Sequence, residues 1–124
     1  TGFYWDYDDE TRAWSKRFME RHGAIPAMGH AGAYSMAMHY FKAIEAAGTD
    51  DSDAVIRKMK EMKPDDFFSR NATLRNDGRM VHDMYYVEIK KPEERRDNND
   101  LFKVVSVIPG DQAYGPMLPE CDFK

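Results

Sequence analysis

The spacing of apolar residues along this chain is helical up to about residue 70 and extended after it. Asp8, Asp9 and Glu10 supply an N-cap and the negative charge favoured in a first helical turn. The helix they open runs to about His22 with Trp14 and Phe18 on one face, and Gly23 stands where a left-handed terminating residue belongs. A second helix is predicted over Ala31–Ala47 and ends at Gly48. A third covers about Ser52–Met62, with Val55, Met59 and Met62 on its apolar side and Pro64 closing it. Then the period changes. Ala72–Arg75 and Met80–Lys90 flank Asn76-Asp-Gly78, the signature of a hairpin with a short loop. The polar stretch Pro92–Asp100 leads into Leu101–Ile108, a strand stopped by Pro109-Gly110, and the tail beyond has no periodicity. Thr1–Tyr7, rich in aromatic residues, is an extended entry segment.

The second helix is apolar around almost its whole circumference. Its polar residues Ser35, His39, Lys42 and Glu45 form one narrow stripe, and the rest is Ala, Met, Tyr, Phe, Ile or Gly. Such a rod needs cover on more than one side. Three consecutive helices with no strand between them cannot build a parallel sheet, so the main sheet of this α/β architecture is expected to lie elsewhere. The expected outcome is a chain seen with missing companion segments, as a dimer, or with an exposed apolar face, and not a compact monomer that buries Met36, Tyr40, Phe41 and Ile44 by itself.

At 124 residues the chain is large enough for one core. A hydrophobic fraction of 42% excludes disorder as a description of the whole, and a net charge of -4 leaves no footprint for nucleic acid. No apolar run approaches the roughly 20 residues of a bilayer span. The opening Thr-Gly-Phe-Tyr has no signal-peptide character and reads as processed or cut. Cys121 is either a free thiol or half of a disulfide whose partner lies outside this chain.

Candidate chemistry is sparse. His30 and His39, nine residues apart, fall on opposite faces of a helix, and neither they nor His22, His82 and Cys121 have zinc spacing. Met28, Met36 and Met38 with His30 and His39 resemble a soft copper-binding set, but Met36 and Met38 point apart and read as core filler. His82 and Asp83, adjacent on a strand, point to opposite faces and cannot orient one another. No nucleophile elbow, phosphate loop or dinucleotide fingerprint is present, so neither an enzyme nor a cofactor is expected. Tyr4 and Trp5 are the candidates for recognition: flat rings with a polar tip suit the wall of a cleft around a small organic molecule, and equally suit packing on the first helix.

Taken in order, Gly2-Phe-Tyr-Trp-Asp6, Asp9–Phe18, Ala33-Tyr34, Ala43–Asp51, Asn76–Asp83 and Val107–Asp111 resemble the C-terminal third of a bacterial ABC-transporter solute-binding protein of the branched-chain amino acid type, with the type I periplasmic binding fold. The resemblance implies two α/β lobes joined by hinge crossings and a solute trapped between them on closure. It makes residues 1–8 one crossing, 9–100 a segment of the first lobe (three helices and a hairpin), 101–109 another crossing, and 110–124 a short tail of the second lobe. It places Tyr4 and Trp5 at the mouth of the cleft, with His30 just before the apolar helix, as the ligand-binding candidates. Implied with these are a periplasmic location and, as partners, a small amino-acid-like or aromatic-acid solute, a membrane permease, and either the missing N-terminal part of the protein or a second copy. A ligand-sensing receptor ectodomain of the same fold is the alternative, and a small independent enzyme or metal protein is the third reading.

Overall fold

The computed structural model describes residues 1–117 and 120; Cys121 lies outside them, as does most of the tail past Met117. Helix α1 (Asp9–His22) starts where the sequence places it: the Asp8 carboxylate accepts the Thr11 N–H at 2.9 Å, and Gly23, at φ 80°, returns its N–H to the Met19 carbonyl. Helix α3 (Ser52–Glu61) starts in the same way, with Asp51 accepting from the Ala54 N–H at 3.0 Å, but ends at Met62 in extended backbone.

Helix α2 (Met28–Ala47) starts three residues earlier than predicted. Its N-cap, Ala27, has no capping side chain; instead the His30 imidazole reaches back and its Nδ1 accepts the Ala27 N–H at 3.0 Å. His30 is therefore inside the first turn of the helix and not ahead of it. The polar stripe also divides. Ala31, Ser35, His39 and Ala43 are the buried line of α2, while Lys42 and Glu45 stay in solvent. Ser35 bonds Ser69 at 2.6 Å, and the buried His39 donates from Nε2 to the Met59 carbonyl at 2.9 Å, so both polar groups are satisfied without water.

Two small cores result. Phe3, Trp14, Ala31, Phe67 and Phe68 form one, in which Trp14 stacks on Phe67 at 4.5 Å and on Phe18 at 5.5 Å. Ala43, Val55, Met59 and Leu74 form the other, where α3 and the hairpin meet α2. Neither reaches the far side of the rod. Phe41 is 58% exposed and Tyr40 42%, with Tyr34 and Met36 beside them, as expected for a helix whose sheet is elsewhere; Ile44 alone of the expected face is half-buried, against the second core.

The hairpin is shorter than predicted. β1 (Thr73–Leu74) pairs antiparallel with β2 (Met80–Val81) around Gly78, which needs its φ of 78°. The predicted run Met80–Lys90 then breaks at His82-Asp83. The Asp83 carboxylate takes the Gly110 N–H at 3.1 Å and the Asn71 amide at 3.0 Å, which pulls the backbone out of the first ladder. β3 (Met84–Ile89) begins a second antiparallel sheet with β4 (Phe102–Ile108), bulged at Val105 between the pairs Tyr86↔Ser106 and Val87↔Val104. Thr1 exchanges both backbone hydrogen bonds with Tyr85, so the entry segment lies along β3. Past Pro109 the chain makes one helical turn, α4 (Gly110–Ala113), where irregular backbone is predicted. None of the described helices is long and apolar enough to cross a membrane.

Candidate functional site

The entry segment and the connection between β3 and β4 are far apart in sequence and meet in space. Tyr4 is buried there. Its hydroxyl donates to Asp100 Oδ1 at 3.0 Å, and its ring meets Phe102 edge-on at 5.8 Å. Trp5, half-buried, donates its indole N–H to the Asn99 carbonyl at 2.9 Å and packs against the Phe3–Trp14 core. The polar tips that make these residues attractive for recognition are therefore engaged by the chain itself.

Around them is a group of charges. Asp100 has a side chain 0% exposed, yet each of its oxygens is paired: Oδ1 with Tyr4 and with Lys90 Nζ at 2.7 Å, and Oδ2 with both the backbone N–H and Nε of Arg96 at 3.0 Å. Arg96 also pairs with Asp6, whose carboxylate, 5% exposed, takes Arg12 on its other oxygen at 3.0 Å. The Arg96 and Lys90 hydrogen bonds hold the Asp100 carboxyl well below the usual carboxylate range, overcoming the cost of its burial. Burial, then the hydrogen bond to Asp100 and the charges of both carboxylates, push the Tyr4 phenol up to about 12. A shallow cavity of about 260 Å³ opens beside this cluster, lined in part by Tyr7, Phe102 and Lys103.

His30 belongs to a different neighbourhood. Its ring lies 5.0 Å from Phe18 and 5.7 Å from His22, on the α1 side, and shares no hydrogen bond with Tyr4 or Trp5. The structure thus brings Tyr4 and Trp5 together and leaves His30 apart from them. Arg12, Lys90, Arg96 and Asp100 do not stand out in the sequence, and Asp6 reads there as one of the acids Asp6, Asp8, Asp9 and Glu10 that serve helix capping; the hint to the rest is a polar loop ending in an acid beside a strand.

The described residues contain no group of three or more His, Cys, Asp or Glu side chains placed to hold a metal ion. His82 is bound on both sides. Nδ1 faces the Asp83 carbonyl at 2.8 Å and so carries the proton, and Nε2 accepts from the Tyr114 hydroxyl at 2.9 Å. Asp83 and His82 do not form a side-chain pair: both lie between β2 and β3, with the His82 ring on the Asp83 carbonyl and Tyr114 and the Asp83 carboxylate on Gly110 and Asn71. The arrangement offers buried aromatic surface and fixed charge.

A family model described as periplasmic binding protein matches residues 1–96. Among solved structures, a periplasmic binding protein from Burkholderia mallei is similar at 39% identity and a TM-score of 0.89, over 98% of this chain and 32% of that one. A branched chain amino acid ABC transporter periplasmic ligand-binding protein from Burkholderia xenovorans LB400 is similar at 46% identity and a TM-score of 0.90, over 94% of this chain and 31% of that one. The chain spans about a third of the length of these structures. No curated protein sequence matches it.

Proposed function

This chain belongs to the periplasmic binding protein family, and from that premise we propose that it is a piece of the solute-binding component of an ABC importer. The intact protein captures a small amino-acid-like or aromatic-acid solute between two lobes in the periplasm and delivers it to a membrane permease. Residues 1–8 and 101–109 act as hinge crossings, and Tyr4, Trp5 and His30 stand near the cleft. Tyr4 contributes the edge of its ring and the fixed position of its neighbour, because its hydroxyl is committed to Asp100. Trp5 and the exposed His30 offer the surfaces a flat solute can meet. The work is done by differential affinity: a solute that touches both lobes only when they are closed shifts the population toward that state.

The observation that carries this reading is the reversed α2 helix. Its small and polar line is inside, and Tyr34, Met36, Tyr40 and Phe41 face solvent, which fits a helix that lies on strands from an earlier stretch of the same polypeptide. Calorimetry on the intact protein against a panel of amino acids and aromatic acids tests it. We expect one chemical class to bind the intact protein and the 124-residue chain alone to bind none tightly. Micromolar binding by the isolated chain, or no binding by the intact protein, would overturn it.

A further inference from the structure

The charge cluster ties the entry segment to the β3–β4 connection, in addition to the backbone pairing of Thr1 with Tyr85 on β3. Tyr4 to Asp100 spans 96 positions and Asp6 to Arg96 spans 90. Both of its carboxylates are inside, and each meets two cations: Lys90 and Arg96 on Asp100, Arg96 and Arg12 on Asp6, with Arg12 also paired to Asp9. Arg96 bridges the two acids. Trp5 adds a further tie from the entry segment to the Asn99 carbonyl at 2.9 Å, and Asp97 stiffens the approach to Asp100 by accepting the N–H groups of Asn99 and Asp100. The segment 4–6 and the segment 96–100 are thereby clamped at several points, in a geometry that loose surface ion pairs do not provide. A simple brace would need fewer bonds. This one sits where the two proposed crossings enter the same lobe.

We propose that Asp100 is a positioning residue for lobe closure: through Tyr4, Lys90 and Arg96 it locks residues 4–6 and 96–100 into one rigid body, so that bending is confined to the stretches of each crossing beyond the clamp. This rests on the reading of residues 1–8 and 101–109 as hinge crossings. The closed state then forms without the two crossings losing their mutual register, and Asp100 contributes to solute affinity without touching solute. Cutting it leaves the two crossings joined through β3, by the Thr1–Tyr85 pair and the β3–β4 ladder, and loosens residues 4–6 against residues 96–100, which favours open arrangements that hold solute with one lobe only.

The test uses the intact protein with a fluorophore on each lobe, so that transfer efficiency reports closure, alongside stopped-flow solute dissociation and thermal unfolding. Asp100→Asn keeps the shape and removes the charge; Tyr4→Phe removes one bond and serves if the first variant folds poorly. The expected result for Asp100→Asn is solute release about tenfold faster, with a broader, more open transfer distribution, and a smaller change in the same direction for Tyr4→Phe. A fall in melting temperature with closure and release unchanged in both variants would reduce the cluster to a structural brace and overturn the proposal. The wild-type protein separates this outcome from the preceding one: if it neither binds solute nor closes, the solute-binding reading fails, and if it closes normally while both variants match it, only the clamp fails.

Discussion

On α2, Ser35 and His39 lie inside while Tyr40 and Phe41 face water; where the entry segment meets the β3–β4 connection, the carboxylates of Asp6 and Asp100 lie inside and their cations reach outward. Both regions bury polar groups, and in both the buried atoms are satisfied, by Ser69 and the Met59 carbonyl in the first and by Tyr4, Lys90, Arg96 and Arg12 in the second. The difference is completeness. Every donor and acceptor of the charge cluster comes from this chain, whereas Tyr40 and Phe41 on the apolar side of α2 are left exposed by the described residues. Directional bonds can be closed locally by a few residues, but hydrophobic surface needs area, and these residues do not supply enough of it.

The contrast is broken or sharpened most strongly at Phe41. In the isolated chain Phe41→Asp is expected to shift stability by no more than about 0.5 kcal/mol and to reduce self-association. In the intact protein the same change places a charge under a sheet and costs about 3 kcal/mol or more. Urea unfolding of both forms decides it, and equal costs would mean that α2 has no covering strands. Asp100→Ala should behave oppositely, costing about 3 kcal/mol in either context, because its partners travel with it.

Acid probes the same cluster more gently. The Asp100 and Asp8 carboxyls are held low in the folded chain, Asp100 by Arg96 and Lys90, and Asp8 by the Thr11 hydrogen bonds and Arg70 against a desolvation cost. The unfolded chain then takes up these protons first as pH falls, so their contribution is intact above about pH 4 and declines progressively below it. At the other end, Tyr4 and Tyr85 are pushed up to about 12, chiefly by burial. Their neutral forms favour the folded state, so this contribution is whole below about pH 10 and is lost as pH rises through 12. Phenolate absorbance should show these two tyrosines ionising late, together with unfolding; normal titration of Tyr4 would place its hydroxyl in solvent and not on Asp100. The smallest effect is expected at Ser35→Ala, about 1 kcal/mol from the stranded Ser69 hydroxyl, measurable by urea denaturation and the same with or without the covering segments.

Helix boundaries set by neighbouring residues were legible in advance: Asp8, Gly23 and Gly48 act within a few positions of themselves, and each stands where the sequence predicts. The start of α2 was not, because Ala27 carries no capping group and His30 supplies the bond from inside. The division of the Met80–Lys90 run was hidden for a similar reason, since Asp83 is drawn away by Asn71 and Gly110, neither of them near it in sequence. Tyr4 and Trp5 stood out as aromatic residues with polar tips, but which atoms those tips address depends on Asn99 and Asp100 at the other end of the chain.

The order of amino acids by itself determined the helices, the turn at Gly78, the strand at β4 and the surplus of apolar surface on the second helix, because caps, periodicity and turn residues act over a few positions and survive in any context. Only the tertiary structure decided which side of α2 turns inward, where the long strand breaks, and that three distant charged residues, Lys90, Arg96 and Asp100, gather near Tyr4 and Asp6. Those outcomes depend on which surfaces compete for burial and on electrostatic pairing across 90 or more residues, and neither is written in local pattern.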